Sequence, residues 1–381
     1  MSRIPLFKHS SLGLVTPPAL RVRMGKKPVP EFTVESEPST STTTLSPSYL
    51  SQTSVPSRRI EDPTASRKLL VLDLNGSLLV RPKRSGKGKE VEHASGEAAT
   101  RTRTVIPRPY IPTFREYISH PRTTSWLDTI VWSSAQPHSV RSMVEKCFGD
   151  RTNCLKALMA RDTFGLDAAS YGRKSLTTKD LEIIWSKGAF TSSPALTSMI
   201  TAAQDTDAQP FSHSAETTVL VDDSLRKARM QPWNHICIKE YSAGLRRTDL
   251  DVWTSLQQPK ESKKKKKTKE KEVREEGEVV VALDATVTEL APPQPLGRFD
   301  ETLLAIIGVL EALKHQNNVS AWIRGGGLLT KGVEMKNVDE SLTESPNPLW
   351  FDDTEVADAW AAKGKGALEE LSIELVHGVH G

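Results

Sequence analysis

The stretch KLLVLDLNGSLL, residues 68–79, decides the fold of this chain. Its aliphatic run is interrupted by Asp73 and ends in a turn that contains Gly76. A short apolar run of this kind is typical of a strand that is buried on both faces of a parallel sheet. Open α/β sheets bind their ligands at the carboxyl ends of the strands. We therefore predict that Asp73 belongs to a functional site.

Two further apolar runs also end in polar residues. The run TIVW ends at Ser133, and the run TTVLV ends at the acidic pair Asp222 and Asp223. Lys179 lies between these runs, at the expected start of a helix. Because parallel strands end at one edge of a sheet, these groups are expected to converge on Asp73. Carboxylates, a hydroxyl and a cation suit Mg²⁺-assisted phosphoryl transfer to an aspartate.

Each of these residues also has a plain structural interpretation. Asp73 is compatible with a solvated turn in a Rossmann-like protein without catalysis. The pair Asp222 and Asp223 is compatible with a helix cap, Ser133 with an ordinary turn, and Lys179 with a surface lysine. The functional interpretation depends on all of them occurring together, in the order that a parallel sheet requires.

The composition limits the possible classes of protein. The 381 residues are 37% hydrophobic, below the roughly 45–50% of globular chains, so part of the chain is expected to be unfolded. The net charge of +4 gives no argument for nucleic-acid binding. Three cysteines without a CxxC pair indicate a reducing compartment. No stretch reaches the roughly 20 apolar residues of a membrane span, so none is expected.

Changes in composition along the chain predict its organisation. A Ser/Thr/Pro-rich arm covers residues 1–65, and an ordered domain covers 66–324 with polar insertions near 82–104 and 257–297. The second insertion is rich in Lys and Glu, and its tract Lys263–Lys271 resembles a nuclear localisation signal. We expect a nuclear or cytoplasmic protein, with a mitochondrial one as the alternative because the first 30 residues are basic. The acidic tail, 325–381, contains an amphipathic pattern over Glu355–Val376 that predicts a short helix.

The motifs together resemble a known family. DLNGSLL is similar to the DxDx(T/V) signature of the haloacid-dehalogenase superfamily. RPYIPTFREYI, VWSSA, TTKDL and VLVDDS then follow in the order of the FCP-homology (NLI-interacting factor-like) phosphatase domain. DETLLAIIGVLEAL and NNVSAWI resemble the closing helix and the last strand of that domain. The resemblance implies a Rossmann-like α/β fold with a central parallel sheet, and Mg²⁺-dependent hydrolysis of phosphoserine or phosphothreonine in proteins.

The resemblance also implies a role for each matching residue. Asp73 would be the nucleophile that accepts the phosphoryl group, and it would also bind Mg²⁺. The backbone carbonyl of Asn75 would be a second ligand, and the pair Asp222 and Asp223 would supply the remaining carboxylate, with Asp223 in direct contact. The phosphate would be held by Ser133 and Lys179, and an acidic substrate by Arg173 or Lys174.

One position departs from the family pattern. Active members carry aspartate two residues after the nucleophile, where this chain has Asn75. That aspartate protonates the leaving group and later activates water, and an amide cannot transfer protons in this way. Two hypotheses follow: a phosphatase with impaired hydrolysis, or a catalytically inactive module that binds a protein partner. A member of this family serves as a receptor of the mitochondrial import translocase without needing catalysis.

Overall fold

The computed structural model describes most of the chain. The described residues are 45–82, 103–173, 175–186, 190–200, 212–257, 297–330 and 349–380. Nearly all of both predicted insertions, including the Lys-rich tract, lies outside these ranges, as do residues 1–44 of the arm. Within the described ranges, no helix combines the length and the apolar content that crossing a bilayer requires.

The centre of the fold is a parallel sheet of five strands in the order β5–β4–β1–β6–β7. β2 and β3, which come between β1 and β4 in the sequence, form a separate short antiparallel pair. The strands are β1 (Lys68–Leu72), β2 (Leu79–Val80), β3 (Ile106–Pro107), β4 (Leu127–Trp132), β5 (Leu155–Met159), β6 (Thr218–Asp222) and β7 (His235–Cys237).

Helices cover this sheet. They are α1 (Pro47–Ser54), α2 (Ile111–Ser119), α3 (Pro121–Thr124), α4 (Pro137–Phe148), α5 (Ala168–Tyr171), α6 (Glu182–Trp185), α7 (Ala243–Gln257), α8 (Thr302–Leu313), α9 (Val319–Arg324) and α10 (Thr354–Glu370).

The residues of β1 explain why this strand is central. Successive side chains of a strand point to opposite faces, and every residue of β1 is buried. Leu70 and Leu72 join a large core with α2, α4, α8 and α10, while Leu69 and Val71 join a smaller core on the other face. The predicted fold class, a Rossmann-like parallel sheet between helices, is confirmed.

Other strand predictions had mixed outcomes. The apolar residues between Trp233 and Ile238 predict an edge strand, and the structure has it as β7 at one edge of the sheet. At the other edge, β5 was not predicted, because the exposed Lys156 interrupts a run that is otherwise buried. NNVSAWI is not the last strand. It forms α9, whose first turn is capped by the side chain of Asn318 accepting from the N–H of Ala321 (3.0 Å).

The predicted disorder of residues 1–65 is wrong for its described part, residues 45–65. Proline at its start and Ser46 as its N-cap favour α1. Tyr49 of α1 is fully buried and stacks on Trp233, with ring centroids 5.7 Å apart. Tyr49 thus helps to anchor a segment whose composition alone predicts disorder.

The acidic tail contributes a helix to the core. The predicted amphipathic helix exists as α10 and packs along α8. The two backbones touch at Gly308 and Gly364, where an added methyl group would overlap the carbonyl oxygens of Trp360 and Leu304 respectively. The packed unit therefore extends beyond residue 324, the expected boundary of the domain.

Adding a methyl group at this helix crossing is expected to destabilise the protein. Gly308→Ala should lower the free energy of unfolding by about 3 kcal/mol, because the backbones would have to separate. The control is Gly366→Ala in α10, where a methyl group meets open space and should raise the same quantity by about 0.5–1 kcal/mol. Chemical denaturation measures both values. Equal effects of the two substitutions would contradict the close packing of α8 and α10.

Candidate active site

The two central strands end in buried carboxylates. Asp73 directly follows β1, and its N–H donates to the carbonyl of Val221 (3.0 Å), which extends the pairing with β6 by one residue. Asp222 is the last residue of β6. Their relative exposures are 2% and 0%, so both carboxylates are almost completely removed from water. Such groups require partners, since burying a charge without compensation is costly.

Lys179 is the first partner of both carboxylates. Its Nζ donates to Oδ1 of Asp73 (2.8 Å) and to Oδ2 of Asp222 (2.7 Å), and its side chain is fully buried. The structure thus brings together three of the residues that the sequence singled out.

The segment that carries Lys179 is fixed from both sides. The N–H of Lys179 donates to the carbonyl of Lys227 (2.8 Å). The N–H of Leu181 donates to the side chain of Gln231 (3.1 Å), which in turn donates to Asp180 (2.8 Å). These bonds tie the start of α6 to the turn that follows β6, so the lysine is held rigidly at the strand ends.

Lys227 is a second cation of the site, and the sequence interpretation missed it. Its Nζ lies 3.1 Å from Asp222, 3.4 Å from Asp73 and 3.7 Å from Asp223. It lies in a 3₁₀ turn, Leu225–Ala228, directly after the acidic pair. The available signal was its position four residues after Asp223, within one helical turn of it.

Asp223 is the most exposed carboxylate of this cluster, with 16% of its side chain accessible, and it lies against the turn that follows Asp73. The Oγ of Ser77 is 3.4 Å from its Oδ1. Gly76 adopts φ +94°, and a Cβ there would lie 2.6 Å from Oδ2 of Asp223. Only glycine permits this backbone conformation together with such a close approach. Gly76 thus lets the loop after β1 lie directly against the second acidic residue.

Burial and charge give the two neighbouring aspartates opposite pKa shifts. Burial by itself would raise the pKa of Asp222, but Lys179 and Lys227 outweigh it and lower that pKa to about 2. Burial, reinforced by the charges of Asp73 and Asp222, raises the pKa of Asp223 to about 6. Asp223 is therefore the carboxylate of this cluster that most needs a further cation.

Asp222 is also fixed through its backbone. The ring of His235 is 3.0 Å from the carbonyl oxygen of Asp222, to which it donates when Nε2 carries the proton. Burial lowers the pKa of His235, which keeps the ring neutral. A neutral donor at this position holds the end of β6 without adding charge to the site.

The donor set fits a divalent metal ion. Ligand oxygens of Asp73, Asp222 and Asp223 all lie within 4.8 Å of one another. Oδ2 of Asp73 is buried and forms no hydrogen bond with any described residue, although Nζ of Lys227 lies 3.4 Å away, and burial among carboxylates raises the pKa of Asp223, so a further cation would be favoured here. Mg²⁺ prefers carboxylate oxygens and keeps several waters, so these three residues suffice to hold it.

Mg²⁺ binding is expected to depend on pH through Asp223. Above a pH of about 6, its carboxylate is ionised and available, whereas below that value the ion must displace a proton. The apparent affinity should fall about tenfold per pH unit below the pKa, as measured by isothermal titration calorimetry. The control, Asp223→Asn, should bind more weakly and lose this pH dependence. An affinity of the native chain that does not change through this range would contradict the assignment.

The remaining residues singled out from the sequence have less defined surroundings. Ser133 is buried directly after β4, and its Oγ accepts from the N–H of Ala135 (3.4 Å), an ordinary turn contact. Asn75 is exposed, and its side chain forms no hydrogen bond within the described part of the chain. Arg173 is exposed, and Lys174 lies outside the described residues. The roles expected for these residues stay predictions.

Comparison with known proteins agrees with this arrangement. Residues 68–269 match the family model described as NLI interacting factor-like phosphatase, a range that contains every acidic and basic group of the cluster. The chain is also 32% identical over 196 residues to an uncharacterized FCP1 homology domain-containing protein of Schizosaccharomyces pombe. That alignment covers 51% of this chain and 68% of the relative. The chain therefore belongs to the family of NLI interacting factor-like phosphatases, of the haloacid-dehalogenase type.

Proposed function

We propose that the chain is an Mg²⁺-dependent phosphatase that transfers a phosphoryl group to Asp73 and then hydrolyses it slowly. The observation that carries this proposal is the state of Asp73: Lys179 holds Oδ1, while the buried Oδ2 lies 3.4 Å from Nζ of Lys227 and accepts no hydrogen bond from the described residues. A carboxylate positioned in this way at a strand end is suited to nucleophilic attack on phosphorus.

The charges of the cluster support binding of a phosphate ester. Three carboxylates and two lysines leave one net negative charge, which would repel a phosphate. A bound Mg²⁺ would reverse that sign and, with Lys179 and Lys227, stabilise the charge on the non-bridging oxygens. The lysines are already held by Asp73 and Asp222, so they need little reorganisation when a substrate binds.

The proposed reaction has two steps. In the first, an oxygen of Asp73 bonds to phosphorus as the ester bond to the leaving oxygen breaks, and that oxygen must take up a proton unless it is a good leaving group. In the second, water attacks the phosphoaspartate and gives up a proton, which releases phosphate and restores Asp73. Asn75 can neither supply the first proton nor accept the second. Both steps are therefore expected to be slow: the first limits turnover of an alkyl ester, whose leaving oxygen needs the proton, and the second limits turnover of an aryl ester.

The proposed substrate is a protein carrying phosphoserine or phosphothreonine. Support comes from family membership and from the position of Arg173, exposed on a segment that the guanidinium of Arg161 fixes beside the end of β4. Arg161 donates to the carbonyls of Ser134, Ser170 and Arg173 (3.3, 2.8 and 2.6 Å). An exposed cation there suits an acidic side chain of a substrate. A nuclear or cytoplasmic location, and the mitochondrial alternative, stay part of the proposal.

A second candidate function is a module that binds a phosphoprotein or another protein partner without turnover, as an import receptor-like subunit would. The amide at Asn75 favours it, because the rest of the cluster retains its charges while the proton-transferring group is replaced. Under this proposal the pocket binds phosphate and Mg²⁺ but does not complete hydrolysis.

Hydrolysis of p-nitrophenyl phosphate separates the two candidates. Its phenolate leaves without needing an acid, so the first step should proceed even with Asn75. The enzyme proposal expects slow turnover that requires Mg²⁺ and stops when EDTA is added. A native chain that binds Mg²⁺ but releases no p-nitrophenolate, not even one equivalent per chain, would favour the binding module.

A further inference from the structure

The loop after Asp73, residues 74–79, is held from outside by three hydrogen bonds to its carbonyl oxygens. The N–H of Tyr241 donates to Gly76 (2.6 Å). Arg108 donates twice, from its backbone N–H to Leu78 (2.9 Å) and from Nη1 to Ser77 (3.0 Å). The loop that carries Asn75 and contacts Asp223 is thus attached to two residues outside the metal-binding cluster.

These two residues belong to a network of buried polar groups, which we call the buried ring: Arg108, Tyr241, Asp249 and Asp300. It closes through the guanidinium of Arg108, which lies over the ring of Tyr241, 5.4 Å from its centroid. Arg108 forms a two-point ion pair with Asp300 (3.2 and 2.8 Å). The N–H of Asp300 donates to Asp249 (2.9 Å), and the hydroxyl of Tyr241 donates to the same carboxylate (2.8 Å). All four residues are buried or nearly so, which makes their bonds strong and geometrically restrictive.

The last described residues, Glu374–His380, hold the elements that carry the buried ring; we call them the C-terminal strap. Near Arg108, the carbonyl of His377 accepts from the N–H of Tyr110 (2.9 Å). The strap also bonds Thr113, whose hydroxyl donates to the carbonyl of Glu374 (2.9 Å) and accepts from the N–H of Val376 (2.8 Å).

The same strap contacts the neighbours of the two acidic members of the ring. The ring of His377 stacks on Phe299, next to Asp300, with centroids 4.4 Å apart. Val379 is buried in a small cluster with Phe299 and with Val252 of α7, the helix that carries Asp249. One short segment therefore clamps the three chain regions that contribute Arg108, Asp249 and Asp300.

We propose that Arg108 is a positioning residue for phosphoryl transfer, and that the C-terminal strap completes the buried ring that sets the loop after Asp73. The inference rests on the proposed function. The strap lies outside residues 68–269, which match the family model, so this chain carries a support for its site beyond the matched region. The loop directly follows Asp73 and contacts Asp223, so a loosened loop would shift these carboxylates. A displacement of a reacting group by about 1 Å can cost 10²-fold in rate. A loosened loop should thus lower kcat while leaving KM nearly unchanged.

The test uses two variants of the full chain, each with a matched control. Arg108→Lys keeps the charge but loses the two-point ion pair, and its control is Arg151→Lys, which alters an exposed pair with Glu116. Val379→Asp disrupts the strap, and its control is Val55→Asp at an exposed position. Turnover of p-nitrophenyl phosphate gives kcat and KM. Amide hydrogen exchange compares residues 76–79 with the strand residues 69–72.

Both test variants should lose about 10²-fold in kcat and show faster exchange confined to residues 76–79, while both controls match the native chain. Unchanged kcat with unchanged exchange in the loop would overturn the proposal, and so would faster exchange throughout the sheet, since that would indicate a general structural role. If the native chain shows no turnover that depends on Asp73, the proposed function fails. Exchange in the loop would then still decide whether the ring and strap hold it.

Discussion

Replacing Asn75 by aspartate is expected to raise the turnover of alkyl phosphate esters by about 10²–10⁴-fold, the usual contribution of a general acid and base. Asn75 is exposed in the loop after Asp73, and its side chain has no hydrogen-bond partner among the described residues, so an isosteric carboxyl group disrupts no contact. The new group would protonate the leaving oxygen in the first step and take a proton from water in the second. The largest gain should therefore occur with a phosphoserine peptide, whose leaving group is poor.

The measurement compares kcat for a phosphoserine peptide and for p-nitrophenyl phosphate in the native chain and in Asn75→Asp. The difference between the two substrates should shrink in the variant, because the aryl ester gains mainly in the second step. Asn75→Leu is the control, since it has a similar size and cannot transfer a proton, and it should behave as the native chain. If Asn75→Asp hydrolyses the peptide no faster than the native chain, the account of Asn75 is wrong.

Asp73→Asn is expected to reduce Mg²⁺-dependent turnover to the uncatalysed background. The amide is nearly isosteric with the carboxylate but cannot form the phosphoryl-enzyme bond. The fold should persist, because Lys179 keeps its ion pair with Asp222. Loss of activity without unfolding would assign the defect to chemistry.

The measurement is release of p-nitrophenolate together with the thermal midpoint of the same sample. Asp353→Asn is the matched control, because Asp353 is the exposed N-cap of α10 and asparagine caps helices equally well. It should retain native turnover and stability. Turnover that survives in Asp73→Asn would assign the chemistry to another group.

Much of the site was predictable because its residues follow apolar runs. Asp73 directly follows β1 and Asp222 is the last residue of β6, and the parallel arrangement of these strands brings the two carboxylates together. Lys179 lies in a motif of the family. Lys227 escaped notice because it lies in an irregular turn, where no periodicity separates a buried cation from a solvated one.

The supports of the site were not predictable for a different reason. The buried ring joins Arg108, Tyr241, Asp249 and Asp300, which come from three separate stretches of the sequence and look like ordinary polar residues in their local patterns. Periodicity predicted a helix in the tail, but it specifies only which face is apolar, and so it could not reveal α8 as the partner. The two glycines at this crossing carry no hydrophobic signal at all. Such contacts become visible only in three dimensions.

The most direct test of the central claim is to look for the phosphoaspartate itself. Native chain mixed with p-nitrophenyl phosphate and Mg²⁺, quenched in acid and digested, would be analysed by mass spectrometry of the peptide that contains residues 69–79. The account predicts that Asp73 carries a phosphoryl group in a large fraction of molecules, because Asn75 cannot activate water for the second step. Asn75→Asp should carry far less, since it hydrolyses the intermediate. A native chain that turns over substrate without phosphorylating Asp73, or that is phosphorylated at another residue, would contradict the account.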